Sequence, residues 1–162
     1  MNIFVLSENP IKAARMQHDK HIVKMVLETA QMLCSAFENA PYKKTYINHP
    51  CTVWARTSRN NFDWLVLHGL ALATEYTYRY NKTHASEKVI SWCYKNADLI
   101  KFPKKHKTPH PLAMPKQYKT EDPVESYINY YINEKLNISK WTRRVRPSIF
   151  SQENNYLFNK KN

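Results

Sequence analysis

The sequence predicts a mainly α fold: a compact, single-domain helical bundle with a short strand or extended segment at its N-terminus. Long stretches of the chain lack Gly and Pro and repeat apolar residues at helical spacing. The 162 residues also include a single glycine, whereas phosphate-binding loops and tight hairpins use glycine for positive φ angles. A Rossmann fold, a P-loop nucleotide hydrolase and a hairpin-rich β-barrel are therefore disfavoured.

The chain has the size and composition of one folded domain. Its 162 residues fall in the usual range of single domains, and 43% hydrophobic residues is too apolar for a disordered chain. We therefore predict one helical domain over residues 1–162, with a basic, proline-rich loop at about residues 101–121.

The first elements are an apolar segment and a long helix. Ile3–Leu6 is short, apolar and partly β-branched, and its length fits a strand or an extended segment. Residues 11–37 contain no Gly or Pro and repeat apolar residues on one side, so they predict one amphipathic helix.

A second helical region is predicted from about Thr52 to Tyr80. Ser58 is a suitable cap for an internal restart of this region. Gly69 lies in its interior, where glycine costs about 1 kcal/mol relative to alanine. We expect another helix to pack closely against Gly69, since close packing would explain a glycine there.

Two further helices are predicted. Residues 86–100 fit a shorter helix, and the basic loop follows it. Asp122 and Pro123 then have the character of an N-cap and a first helical residue, and this helix extends to about Leu136. A basic stretch occupies residues 140–146.

The charge of the chain favours a polyanionic partner. Lys plus Arg number 25 and Asp plus Glu number 13, so the formal net charge is +12 and nucleic acid is the first candidate partner. No apolar run approaches the roughly 20 residues that span a bilayer, and the N-terminus does not resemble a signal peptide. The three cysteines form no CxxC pair, which suits free thiols in a reducing compartment. We therefore predict a cytoplasmic protein with no membrane contact.

The first predicted helix carries a candidate catalytic pair at the edge of its apolar stripe. His21 and Glu28 are two turns apart there, where an imidazole and a carboxylate can serve as a general base and its orienting acid. The structural alternative is a solvated flank or a hydrogen-bonded pair. Lys24, on the same helix, is a candidate for holding a phosphate.

The second predicted helix carries a polar stripe that includes leucines. Asn61, His68 and Glu75 follow at seven-residue steps, and Arg79 lies one turn beyond Glu75. Because buried polar groups need partners, we expect this stripe to face His21 and Glu28 in one partly buried cluster, with Glu75 catalytic and Arg79 binding phosphate. The structural alternative is a Glu75–Arg79 helical ion pair worth a few tenths of a kcal/mol.

The remaining candidates concern phosphates and metals. Basic residues near aromatic ones indicate nucleic-acid contacts, and we name Lys104 and Lys105 in the loop and Arg143 in the C-terminal basic stretch. The histidines and cysteines match no specific zinc pattern, and the acids are too scattered for a hard-cation site. We predict no metal and no cofactor.

The sequence also resembles a family of short proteins found in large tailed bacteriophages. The resemblance covers nearly the whole chain, and its main motifs are Asp19-Lys20-His21 through Val23-Lys24-Met25 to Glu28, and His49-Pro50 with Trp54. It implies a phage gene product in the cytoplasm of an infected bacterium, but no particular reaction. It adds His49, Asn61 and His84 to the candidates for substrate or phosphate binding.

These observations favour a phage protein of nucleic-acid processing, such as a helical base-excising or hydrolytic enzyme acting on DNA or RNA. In this interpretation His21, Glu28 and Glu75 lie near the reacting centre, and the target base is flipped into a pocket. The same motifs fit a small-molecule nucleotide or nucleoside enzyme. A third alternative is a non-catalytic protein that binds nucleic acid or inhibits a host protein.

Overall fold

The polypeptide begins as a buried segment, Ile3–Leu6, that is neither helix nor strand. A computed structural model describes residues 1–151, and in that range the only β pairing is an isolated bridge between Ser58 and Lys104. Ile3, Val5 and Leu6 are almost completely buried, while Phe4 has a positive φ of 57°. Of the two alternatives for this segment, the strand is wrong, and the segment is not extended throughout, because the Leu6 N–H donates to the Phe4 carbonyl at 2.9 Å in a turn.

The single long helix expected over residues 11–37 is wrong, because two helices occupy this range. Helix α1 spans Pro10–Met16 and α2 spans Asp19–Cys34. The break is stabilised by distant groups: the His18 N–H donates to the Tyr131 hydroxyl at 3.2 Å, and the Asp19 N–H donates to the Lys140 carbonyl at 2.9 Å. These partners replace helical hydrogen bonds, so the chain changes direction without Gly or Pro.

The second helical region divides at Ser58. Helix α3 spans Pro50–Thr57 and α4 spans Arg59–Tyr80. The Ser58 hydroxyl accepts the Asn61 N–H at 3.1 Å, which confirms Ser58 as the cap of the restart. The C-terminus of α4 is closed by Asn81 in the left-handed conformation.

Gly69 allows α4 to lie close to its neighbours, as expected from its position in the sequence. A Cβ atom at this residue would be 2.6 Å from Cγ2 of Thr29 on α2 and 2.9 Å from Cδ1 of Ile90. Both distances are shorter than a carbon contact allows, so glycine is needed for this helix spacing.

We expect Gly69→Ala to lower the free energy of unfolding by about 1 kcal/mol. Overpacking of about 1 to 3 kcal/mol outweighs the gain of about 1 kcal/mol in helix propensity. Urea unfolding followed by circular dichroism measures the change. Thr29→Ser removes the clashing methyl group, so the loss should shrink when Gly69→Ala is made in that background; an unchanged loss would contradict the packing argument.

The second half of the chain completes the bundle. Helix α5 spans Glu87–Lys95, a 3-10 turn follows at Ala97–Leu99, and α6 spans Pro123–Glu134. The Asp122 carboxylate accepts the N–H groups of Val124 and Glu125, so the predicted cap is confirmed. The basic loop before α6 is irregular apart from a 3-10 turn at Lys116–Tyr118.

Helix α4 is central to the packing and contacts α1, α2, α3 and α5. Residues 1–151 contain six α-helices around one apolar core, which confirms the mainly α fold class.

The three cysteines are buried free thiols. None of the helices in this range is both long enough and apolar enough to cross a membrane.

Candidate active site

Glu28 is the centre of a polar group at the beginning of the chain. The side chain projects from α2, and the residue is only 8% exposed. Its Oε2 accepts the Asn2 N–H at 3.0 Å and lies 3.6 Å from the amine nitrogen of Met1, while Oε1 lies 3.2 Å from Nζ of Lys24. A buried carboxylate is thus held against a primary amine.

The Asn2 side chain fixes the backbone that carries this amine. Its Oδ1 accepts the N–H groups of Ile3 and Phe4, and its Nδ2 donates to the Ala113 carbonyl at 2.8 Å. These bonds give the backbone N–H groups of the turn at Phe4 a partner and attach the first residues to Ala113 in the basic loop. The amine therefore has a defined position relative to Glu28.

Two further titratable side chains lie near the amine and Glu28. His49 is half-buried at the N-terminus of α3 and interacts electrostatically with both groups. Burial raises the pKa of the Cys51 thiol to about 12, so this cysteine stays protonated near neutral pH and is not an active nucleophile.

His21 lies on the same helix as Glu28 but in an aromatic environment. Its ring stacks on Phe4 at 4.0 Å between centroids, and its Nδ1 lies 2.7 Å from the Tyr131 hydroxyl. Burial, assisted by the neighbouring His18, lowers the pKa of His21 to about 2. A general base needs a pKa nearer the working pH, so this geometry favours a neutral, positioning His21.

Glu75 and Arg79 belong to a separate, buried ion-pair network. Arg79 binds Glu75 at 3.1 Å and Asp19 at 3.0 Å, and it also donates to the backbone carbonyls of Gln17 and Arg15. The second oxygen of Glu75 lies 2.6 Å from Nη2 of Arg144. This arrangement resembles the structural ion-pair alternative, extended by Asp19 and Arg144.

The single polar cluster expected from the two helices is therefore wrong. Helices α2 and α4 do pack together, but Asp19, where the Arg79 network meets α2, is nine residues from Glu28, or about 14 Å along the helix axis. His68 has partners of its own, because its Nδ1 lies 2.9 Å from the Pro10 carbonyl. Glu28 and Glu75 consequently occupy different centres.

Asn61 and His84 are engaged in holding loops. Asn61 binds the Trp54 carbonyl through Nδ2 and accepts the Thr108 N–H at 2.9 Å, which fixes the middle of the basic loop. His84 uses both ring nitrogens, one facing the Val23 carbonyl at 3.1 Å and the other accepting the Ser86 N–H. Neither side chain forms a hydrogen bond with Glu28 or the Met1 amine in the part of the chain that the structure describes.

The remaining basic candidates lie at the surface. Lys104, Lys105 and Arg143 are exposed, and none of them forms an ion pair within the range that the structure describes. The Arg143 guanidinium lies 5.1 Å from the centre of the Tyr78 ring. Lys104 and Lys105 are free to meet phosphates, whereas Arg143 also donates from Nη1 to the Tyr78 carbonyl at 3.0 Å. The described residues contain no group of three His, Cys, Asp or Glu side chains that could hold a metal ion.

Sequence reasoning missed the backbone groups of Met1 and Asn2. A helical projection places Glu28 at the edge of the core, but it does not indicate what lies opposite. Because every residue has a backbone nitrogen, no residue type in the sequence marks a backbone amine or amide as part of a site. Polar Asn2 ahead of an apolar segment was the available signal, since a buried polar side chain must bind something.

Comparison with known proteins identifies the family. Residues 1–88 match the family model described as pyrimidine dimer DNA glycosylase, and this segment contains the amine, Lys24, Glu28 and His49. No curated protein and no solved structure matches the chain. Since the matched segment covers more than half of the 162 residues, the chain belongs to the pyrimidine dimer DNA glycosylase family.

Proposed function

We propose that this protein excises damaged pyrimidine bases from ultraviolet-irradiated DNA, with Glu28 and the adjoining amine at the reacting centre. The observation that carries the proposal is the 3.6 Å separation of the Met1 amine nitrogen from Oε2 of Glu28. Family membership supports pyrimidine dimers in DNA as the substrate class. The net charge of +12 supports a polyanion in preference to a free nucleotide.

The chemistry follows from an amine held beside a carboxylate. The neutral amine attacks C1′ of the damaged nucleotide, and the bond from C1′ to the base breaks with its electron pair leaving on the base, which takes up a proton. Loss of a proton from the attached nitrogen and opening of the sugar ring then give an imine. Glu28 is placed to accept a proton from the amine and to stabilise the positive charge that develops at C1′.

The geometry suits an amine on either of the first two residues. In this structure the amine belongs to Met1, and removal of Met1 would expose the Asn2 nitrogen, which already lies 3.0 Å from Oε2 of Glu28. The same carboxylate therefore serves both forms of the chain.

Cationic side chains near this centre are available for the DNA backbone. Lys24, with a side chain that is 66% exposed, lies one helical turn from Glu28, and Lys20 is exposed one turn further along α2. Lys104, Lys105 and Arg143 supply further positive charge. The resemblance to phage proteins supports a phage enzyme that acts in the cytoplasm of its bacterial host.

Imine trapping tests this proposal. We expect one bond from C1′ to a base of the dimer to break, with that base still joined to its partner pyrimidine, and sodium borohydride added during the reaction to give a covalent protein–DNA adduct. Mass spectrometry of the adduct identifies the residue that carries the amine. Undamaged duplex and a chain with one residue added before Met1 are the controls.

Two outcomes would contradict parts of the proposal. Absence of base loss from dimer-containing DNA would reject the function. Base loss without an adduct would instead indicate that Glu28 activates a water molecule, because a water nucleophile leaves no imine to reduce.

A further inference from the structure

We propose that His49 donates a hydrogen bond from Nε2 to an oxygen atom of the DNA substrate beside Glu28. This inference rests on the proposed function and adds a substrate-contacting side chain to it. The sequence motif contains His49 but does not indicate which ring nitrogen is available. The helix cap does.

The cap of α3 fixes the tautomer of His49. The residue is the N-cap of this helix, and its Nδ1 accepts the Cys51 N–H at 3.2 Å. A nitrogen that accepts a hydrogen bond carries no proton, and a neutral imidazole has one proton on its two nitrogens. The proton is therefore on Nε2, which makes this atom a donor.

The Nε2 donor has no partner among residues 1–151. The Nε2 atom of His49 forms no hydrogen bond with the residues that the structure describes, and the residue is half-buried. Burial and the Met1 amine lower the pKa of His49, against an opposing effect of Glu28. The neutral ring is favoured, and the amine and carboxylate that influence it are those of the proposed reacting centre.

An oxygen of the damaged nucleotide is the matching acceptor. Negative charge develops on a carbonyl oxygen of the departing pyrimidine, and a phosphate oxygen carries charge throughout. A neutral N–H donor stabilises either oxygen, and unlike a lysine it adds no positive charge beside the amine.

Two variants separate the donor from the cap. Serine at an N-cap accepts the same backbone N–H, so His49→Ser keeps the cap and removes the donor, whereas His49→Ala removes both. We expect both variants to reduce the single-turnover rate about 10- to 100-fold. Only His49→Ala should also lower the melting temperature.

Two DNA substrates identify the acceptor. If His49 binds the departing base, His49→Ser slows base loss from dimer-containing DNA but not formation of the borohydride-trapped imine at a preformed abasic site. If it binds a phosphate, both reactions slow. Proton–nitrogen correlation spectra of the wild-type protein provide a measurement that is independent of variant folding, and they should show the Nε2–H tautomer, with ring signals that shift when a non-cleavable abasic duplex is added.

The outcomes distinguish this inference from the proposed function. An active wild-type protein whose His49→Ser variant is equally active, or a ring protonated on Nδ1, overturns the role of His49 alone. A wild-type protein that acts on neither DNA overturns the proposed function and this inference with it.

Discussion

Glu28→Gln is expected to slow base excision strongly while leaving the fold and the DNA affinity close to those of the wild type. The glutamine carbonyl can still accept the Asn2 N–H that Glu28 binds at 3.0 Å, so the first residues keep their position. The amide is neither basic nor charged, so it cannot take a proton from the amine. We expect the single-turnover rate to fall about 10²- to 10⁴-fold.

The measurement combines single-turnover excision with binding to a dimer-containing duplex and a melting curve. Glu38→Gln is the matched control, because Glu38 is exposed and has no ion pair among residues 1–151. If Glu28→Gln excises the base at the wild-type rate, Glu28 has no role in the reaction. If the loss of excision is fully explained by unfolding of the variant, the Glu28 carboxylate stabilises the fold and has no role in the reaction.

Local signals predicted several elements of the fold. Ser58 and Asp122 cap helices through their own side chains, and the need for a small residue at Gly69 follows from its place inside a helix. The break between α1 and α2 depends on Tyr131 and Lys140, more than 110 residues away. Because no local residue causes this break, helical periodicity alone predicts one continuous helix.

The same distinction applies to the candidate site. Periodicity correctly placed Glu28 at the edge of a buried helix face and Glu75 on a face that packs against another helix, and both became candidate catalytic carboxylates. It gave no information about which partners each would meet. Three arginines surround Glu75, whereas an amine, a backbone N–H and one lysine surround Glu28. Chemical roles therefore follow from tertiary contacts that no helical pattern encodes.

Glu75→Gln is expected to lower the free energy of unfolding by about 3 kcal/mol and to leave excision per folded molecule unchanged. The Arg79 side chain is completely buried, and the substitution would leave Asp19 as its remaining carboxylate partner in residues 1–151. Breaking a buried ion pair from one side leaves an uncompensated charge, which costs about 3 to 5 kcal/mol. Asp19 keeps the expected loss at the lower end.

Chemical unfolding at neutral pH gives the change in free energy, with Glu38→Gln again as the surface control. A loss of this size should lower the melting temperature by roughly 6 to 12 °C in a domain of this length. Arg79→Met tests the same network from the other side, because it removes the buried charge and leaves Arg144 to hold Glu75 at 2.6 Å. It should therefore destabilise the protein less than Glu75→Gln does. Wild-type stability combined with lost excision in Glu75→Gln would contradict this argument and make Glu75 part of the reacting centre, as the sequence pattern alone allows.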